Sequence, residues 1–202
     1  MSCGGSGSSK PMTSPAPEEH PLSALAASGA IVTPTYALRV ASDLGWSPVT
    51  ARDVLRTMDD DIAAALAARG LTRGWVMPAD LAMTYKRNPT YASDPYALAV
   101  EPLRASSFIA GSRLAEPLAS QLRTMIALHE NSRVVLMPVE LRLDRGEAAS
   151  GRARATLRLA LVDPRFSEAR WVGDVRSDTT GSDVHVFTKA LATRVADLIT
   201  SR

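Results

Sequence analysis

Cysteine is nearly absent from this chain: Cys3 is the only one in 202 residues. A single thiol excludes an intramolecular disulfide and any zinc site built on cysteine pairs. Histidine is almost as scarce. His20, His129 and His185 stand far apart, with no spacing that would give a metal two ligands on one helix face. Lysine is limited to Lys10, Lys86 and Lys189, so nearly all the positive charge is arginine. A formal net charge of +2 is too small to imply a nucleic-acid binder by itself. Long apolar runs are missing too. The best, Leu22 to Val32, is interrupted by Ser23, Ser28 and Gly29 and falls short of the ~20 residues that span a bilayer. No nucleophile elbow, P-loop, dinucleotide fingerprint or paired Ser/His/Asp pattern occurs. Neither catalytic residues, a metal, a cofactor nor a small-molecule substrate is expected.

What is present is enough for one folded domain. Hydrophobic residues make up 46% and charged residues 22% of a 21.5 kDa chain, ordinary values for a globular protein. Met1 to Pro21 holds the run Gly4-Gly5-Ser6-Gly7-Ser8-Ser9 and then Pro11, Pro15, Pro17 and Pro21. Such composition cannot bury enough apolar surface to offset its ordering entropy. A flexible tether is expected over 1–28, followed by a single α/β domain over 29–202. A cysteine at the head of such a tether looks like the start of a mature bacterial lipoprotein. There the sulfur carries a diacylglycerol and the amine another acyl chain, and several chains anchor firmly where one would not. Only Met1 and Ser2 precede Cys3, so the basic and apolar regions of a signal peptide are not seen.

Periodicity organises the rest. Ile31 to Ala41 alternates as a strand, and Ser47-Pro48 suits a helix start. Val54, Leu55, Met58, Ile62, Ala65 and Leu66 then recur at helical spacing, with Gly70 as the stop. Asp59, Asp60 and Asp61 lie in that helix; successive residues point about 100° apart, so they cannot converge on one ion and are expected on a solvated face. Trp75-Val76-Met77 reads as a short buried strand. An irregular insertion follows at about 78–110, broken by Pro89 and Pro95, and holds Tyr85, Lys86, Arg87, Tyr91 and Tyr96. Tyrosine and arginine are enriched at binding hot spots, which makes Tyr85, Arg87, Tyr91 and Tyr96 candidate contact residues. Glu116-Pro117 begins another amphipathic helix.

Three strands are expected next: 134–144, 152–163 and 169–177. The first sets Val135, Met137, Val139, Leu141 and Leu143 on one face. The second opposes Ala155, Leu157, Leu159 and Leu161 to Arg152, Arg154, Thr156 and Arg158. The third sets Trp171 and Val175 against Arg170, Asp174 and Arg176. Period-two alternation throughout predicts an antiparallel meander with one face buried and the other wet. A closing helix over 183–200 carries Phe187, Leu191, Val195, Leu198 and Ile199 toward the apolar face.

The segments Leu157-Arg158-Leu159-Ala160-Leu161-Val162-Asp163 and Glu168-Ala169-Arg170-Trp171-Val172-Gly173-Asp174-Val175, with the helix Leu191 to Ile199 after them, carry a resemblance. They resemble the family of bacterial envelope domains that includes the N-terminal domain of TolB, the curli lipoprotein CsgG and the Lpo-type lipoprotein activators of peptidoglycan synthases. The match in residues is confined to 157–199, and the insertion at 78–110 is larger than that pattern holds. The resemblance implies a mixed, mostly antiparallel sheet with helices packed on one face, in an α/β sandwich. It also implies a role in binding and assembly, with no catalytic residues to carry over. The expected function is thus a non-enzymatic, periplasm-facing lipoprotein, anchored through lipidated Cys3 and accessory to an envelope or membrane protein complex. The expected contact residues are Arg142, Arg154, Arg158, Arg170 and Arg176 on the wet face, together with the tyrosine insertion. Two alternatives are a small hydrolase-like enzyme without a recognisable motif, and a nucleic-acid-binding module that uses the arginine face.

Overall fold

Alternating residues in the C-terminal half build the sheet. In the computed structural model, which describes residues 22–41, 51–129, 132–145, 153–177 and 184–200, three long strands form. They are β3 (Val135–Arg145), β4 (Ala153–Asp163) and β5 (Glu168–Arg176), paired antiparallel in that order. Two short strands, β1 (Ile31–Val32) and β2 (Ala37–Val40), both pair parallel with β3 along its other edge. The result is a mixed, mostly antiparallel sheet of five strands with helices packed against it, as the sequence predicts. The single strand expected over 31–41 is divided. Pro34 has no N–H to give to a ladder, and β1 and β2 lie on either side of it. The predicted strand around Trp75 is reduced to one bridge, Val76 to Ile31.

One face of the sheet is closed by the two long helices, α2 (Ala51–Ala68) and α5 (Val184–Thr200). Val54, Met58, Ile62 and Leu66 recur every four residues on α2, as do Phe187, Leu191, Val195 and Ile199 on α5. They bury themselves against Leu136, Leu141, Leu143, Leu157, Leu159, Leu161 and Val175. The helix α1 (Leu25–Ser28) adds to the same core, where Leu22 and Leu25 are fully buried. The tether expected over 1–28 therefore does not reach residue 28. Its Met1–Pro21 part, Cys3 included, lies outside the described residues, as do Ser47-Pro48 and Arg152.

The second face corrects the expectation of a uniformly wet surface. At one end, Val135, Met137, Val139, Ala160, Val162 and Ala169 are covered by a separate apolar cluster. It comes from α3 (Pro78–Arg87), α4 (Leu118–Ala127), a 3-10 turn at Glu101–Arg104 and the chain between them, through Leu81, Leu98, Leu103, Phe108, Leu114, Leu118 and Leu122. A bulge in β3 between Pro138 and Glu140 makes this possible. One extra residue switches the alternation. Val135, Met137 and Val139 face the second cluster, whereas Leu141 and Leu143 face the main core, and not all five share a face as their spacing predicts. Beyond the bulge the second face is polar.

The Trp-x-Gly of the hairpin motif has a local cause. Trp171 and Gly173 share a face of β5, and the indole lies across Gly173 where any Cβ would collide with it. Among the described residues no helix is long and apolar enough to cross a membrane.

Candidate functional site

The polar end of the second sheet face is built from cross-strand rows. One runs Ala37–Glu140–Arg158–Asp174, the next Arg39–Arg142–Thr156–Arg176, and a third pairs Asp144 with Arg154. Five arginines thus share a surface with three carboxylates. They are not equivalent. Arg158 is drawn inward. Its Nε donates to the Leu103 carbonyl at 3.0 Å, and Nη2 donates to those of Ala105 at 3.0 Å and Phe108 at 2.8 Å. It is a clamp that holds the 103–108 chain to the sheet, while its Nη1 lies 3.7 Å from Asp174 Oδ1. Arg142 pairs with Asp174, and Glu140 is met by Arg104, whose Nε donates at 3.0 Å. Arg39, Arg154 and Arg176 remain exposed.

Arg170, expected on this surface, belongs elsewhere. It sits at the bulge opposite Leu161 and Val162, beside the β4–β5 turn, where its Nη2 donates to Asp163 Oδ2 at 3.0 Å. Arg165 donates to both oxygens of Asp163, at 3.0 and 2.8 Å, and both guanidiniums lie over the Phe166 ring at about 5.5 Å. Burial would raise the Asp163 carboxyl, but the hydrogen bonds from Arg165 and Arg170 outweigh it and hold it below its usual range.

The tyrosine insertion also divides. Tyr85 and Tyr96 line a cleft of about 680 Å³ between α2, α3, the 94–96 turn and the Thr35-Tyr36 link that joins β1 to β2. Arg87 and Tyr91 lie outside the cleft, and Tyr91 is 77% exposed. The cleft floor was not legible in advance. Asp59, expected on a solvated face, is buried, and its Oδ1 accepts hydrogen bonds from the Thr35 amide and the Thr35 hydroxyl, each at 2.7 Å. Burial raises its carboxyl to about 7 against the pull of those two donors, with a small upward push from Asp60. Beside it the Tyr36 hydroxyl is shielded from solvent, and burial raises its ionisation far above the usual phenol range. The Thr33 side chain pulls that ionisation the other way, although among the described residues neither hydroxyl makes a hydrogen bond of ordinary geometry.

The rim is cationic. Arg52 and Arg56 stand one turn apart on α2, and Lys86 faces the cleft from α3. None of the three forms an ion pair among the described residues. The acid on the rim, Asp94, is committed to its own turn: Oδ1 accepts the Tyr96 amide at 2.9 Å. Leu55 and Ala82 supply apolar wall. The only advance signal for Asp59 was its position four residues after Leu55 and three before Ile62, at the margin of the apolar stripe. Among the described residues no group of His, Cys, Asp and Glu is disposed to hold a metal.

No family model matches the chain, and no curated protein matches it. Solved structures do. One is a PelC dodecamer from Paraburkholderia phytofirmans, 12% identical, with 84% of this chain and 87% of that one covered and a TM-score of 0.38. Another is the C-terminal domain of LpoB from Salmonella enterica, 15% identical, with 80% and 96% covered and a TM-score of 0.40. The second of these is a domain of the Lpo type named in the sequence resemblance.

Proposed function

We propose that this chain is a non-enzymatic accessory subunit of a membrane-bound envelope complex. Acyl chains on Cys3 hold it on the periplasmic side of a bacterial membrane, and it docks on an acidic protein surface through the polar end of its sheet. The observation that supports this most is the row Arg39–Arg142–Thr156–Arg176. Arg39 lies directly opposite Arg142, a like-charge pair that destabilises the sheet, and Thr156 separates Arg142 from Arg176. Of that row only Arg142 has carboxylate partners among the described residues, Asp174 and, at 3.9 Å, Glu140. A partner surface bearing Asp and Glu relieves the repulsion and gains the planar, bidentate contacts that arginine makes with carboxylates.

The reading separates contact residues from structural ones. Arg39, Arg154 and Arg176 are the docking groups, while Arg158 keeps the neighbouring chain in place. Tyr91 and Arg87, exposed on the insertion, extend the contact area to a second patch.

Photo-crosslinking in the native host, from probes placed at positions 154 and 176, tests this. The expected adducts are with a protein of an envelope complex, and mass spectrometry of the membrane fraction is expected to find acylated Cys3. Adducts with a polynucleotide would instead favour the nucleic-acid reading. An unacylated chain confined to the cytosol would contradict the anchoring.

A further inference from the structure

We infer that the cleft between α2 and α3 binds a sugar unit bearing a carboxylate or a phosphate, with Arg52, Arg56 and Lys86 on the anion and the rings of Tyr85 and Tyr96 on the sugar. This goes beyond the proposed docking role, which uses a different surface and different residues.

The charge on the walls decides the sign of the ligand. Three cations face the cleft without an ion pair among the described residues. Its two acids are already engaged: Asp94 by the Tyr96 amide, and Asp59 by both donors of Thr35. Those neutral donors leave both carboxylates their charge, so three cations face two acids, and the lining carries a small positive excess that grows when Asp59 holds its proton. An anion offsets that excess through charge-assisted hydrogen bonds, which are about twice as strong as neutral ones.

The remaining lining decides the body of the ligand. A bare inorganic anion would leave Tyr85, Tyr96, Leu55 and Ala82 without a contact. A purely apolar molecule would strand three cations. A pyranose ring presents C–H faces that suit phenol rings and hydroxyls that suit polar groups at the floor. One such group is there, the Asp59 carboxyl, whose hydrogen bonds among the described residues are both accepted by Oδ1. The volume, about 680 Å³, falls within the 300–1,000 Å³ of ordinary ligand sites and admits more than one ring.

Isothermal titration of the full chain tests the inference with four probes: a galacturonic acid tetrasaccharide, mannose 6-phosphate, a neutral galactose tetrasaccharide and adenosine monophosphate. The charged oligosaccharide is expected to bind at least about tenfold tighter than its neutral counterpart. Mannose 6-phosphate tells whether a phosphate replaces the carboxylate. Arg52→Gln with Arg56→Gln should remove that preference and leave the melting midpoint unchanged, since both side chains are exposed. Tyr85→Ala should weaken charged and neutral sugars alike. Should the double variant fail to fold, Lys86→Gln alone must reduce the preference. Equal affinity for charged and neutral oligosaccharides overturns the inference. So does an absence of binding by both charged sugars, or tighter binding of adenosine monophosphate than of either.

Discussion

The two ends of the sheet are made from the same strands and behave as different materials. At the closed end, where β3 runs through Val135, Met137 and Val139, both faces are buried beneath apolar clusters. At the open end, past the bulge between Pro138 and Glu140, one face remains apolar while the other carries charged cross-strand rows. Stability should therefore reside at the closed end and recognition at the open one. The Thr35-Tyr36 link lies where they meet, between β1 on the closed stretch of β3 and β2 on the open stretch.

Truncation in the core breaks the comparison most forcefully. Leu136→Ala on one face of the closed end and Met137→Ala on the other should each lower stability by about 2–5 kcal/mol in urea unfolding. A closed end that tolerated both would not be the structural half.

Next in size is the effect of pH on Asp59, which pins the junction. Its folded carboxyl lies near 7 and its unfolded value near 3.8. Below about pH 4 both states hold the proton and the stability is complete. Between about 4 and 7 the unfolded chain releases its proton while the folded one retains it, so stability falls as pH rises, by up to about 4 kcal/mol. Above 7 the slope from this group vanishes. Asp59→Asn keeps an acceptor for Thr35 and should flatten that part of the stability–pH curve. An unchanged curve would show that Asp59 ionises in place without cost.

Arg158→Ala should cost about 1–3 kcal/mol, because three backbone carbonyls lose their donor. Hydrogen exchange should quicken along 103–108 and leave β4 protected. Smallest of all, Arg154→Ala and Arg176→Ala at the exposed part of the same face should alter stability by less than about 0.5 kcal/mol. The contrast among three arginines of one face separates the clamp from the docking groups.

These differences mark what the sequence could disclose. The meander, the Trp-x-Gly hairpin and both long helices were legible because each repeats a period of two or of about 3.6 over many residues. The bulge was not, since Val135 to Leu143 reads as unbroken alternation and only the packing of two separate cores reveals the switch. The second core was hidden as well. Leu98, Leu103, Phe108 and Leu114 lie in irregular chain, where burial leaves no period. Of the site, the arginine surface and the tyrosines could be named in advance, but not their division into docking groups, a clamp, a turn cluster and a cleft. That division depends on contacts such as Thr35 to Asp59 and Arg158 to Phe108, between residues tens of positions apart.

The central claim is that the open end recognises a partner while contributing little to folding. The most direct test is the triple variant Arg39→Glu, Arg154→Glu, Arg176→Glu in the full chain. Thermal unfolding and capture of the envelope partner, identified by cross-linking of the parent chain, are then measured on the same preparations. The account predicts a melting midpoint within a few degrees of the parent and loss of the partner. Retention of the partner by a folded triple variant would contradict it.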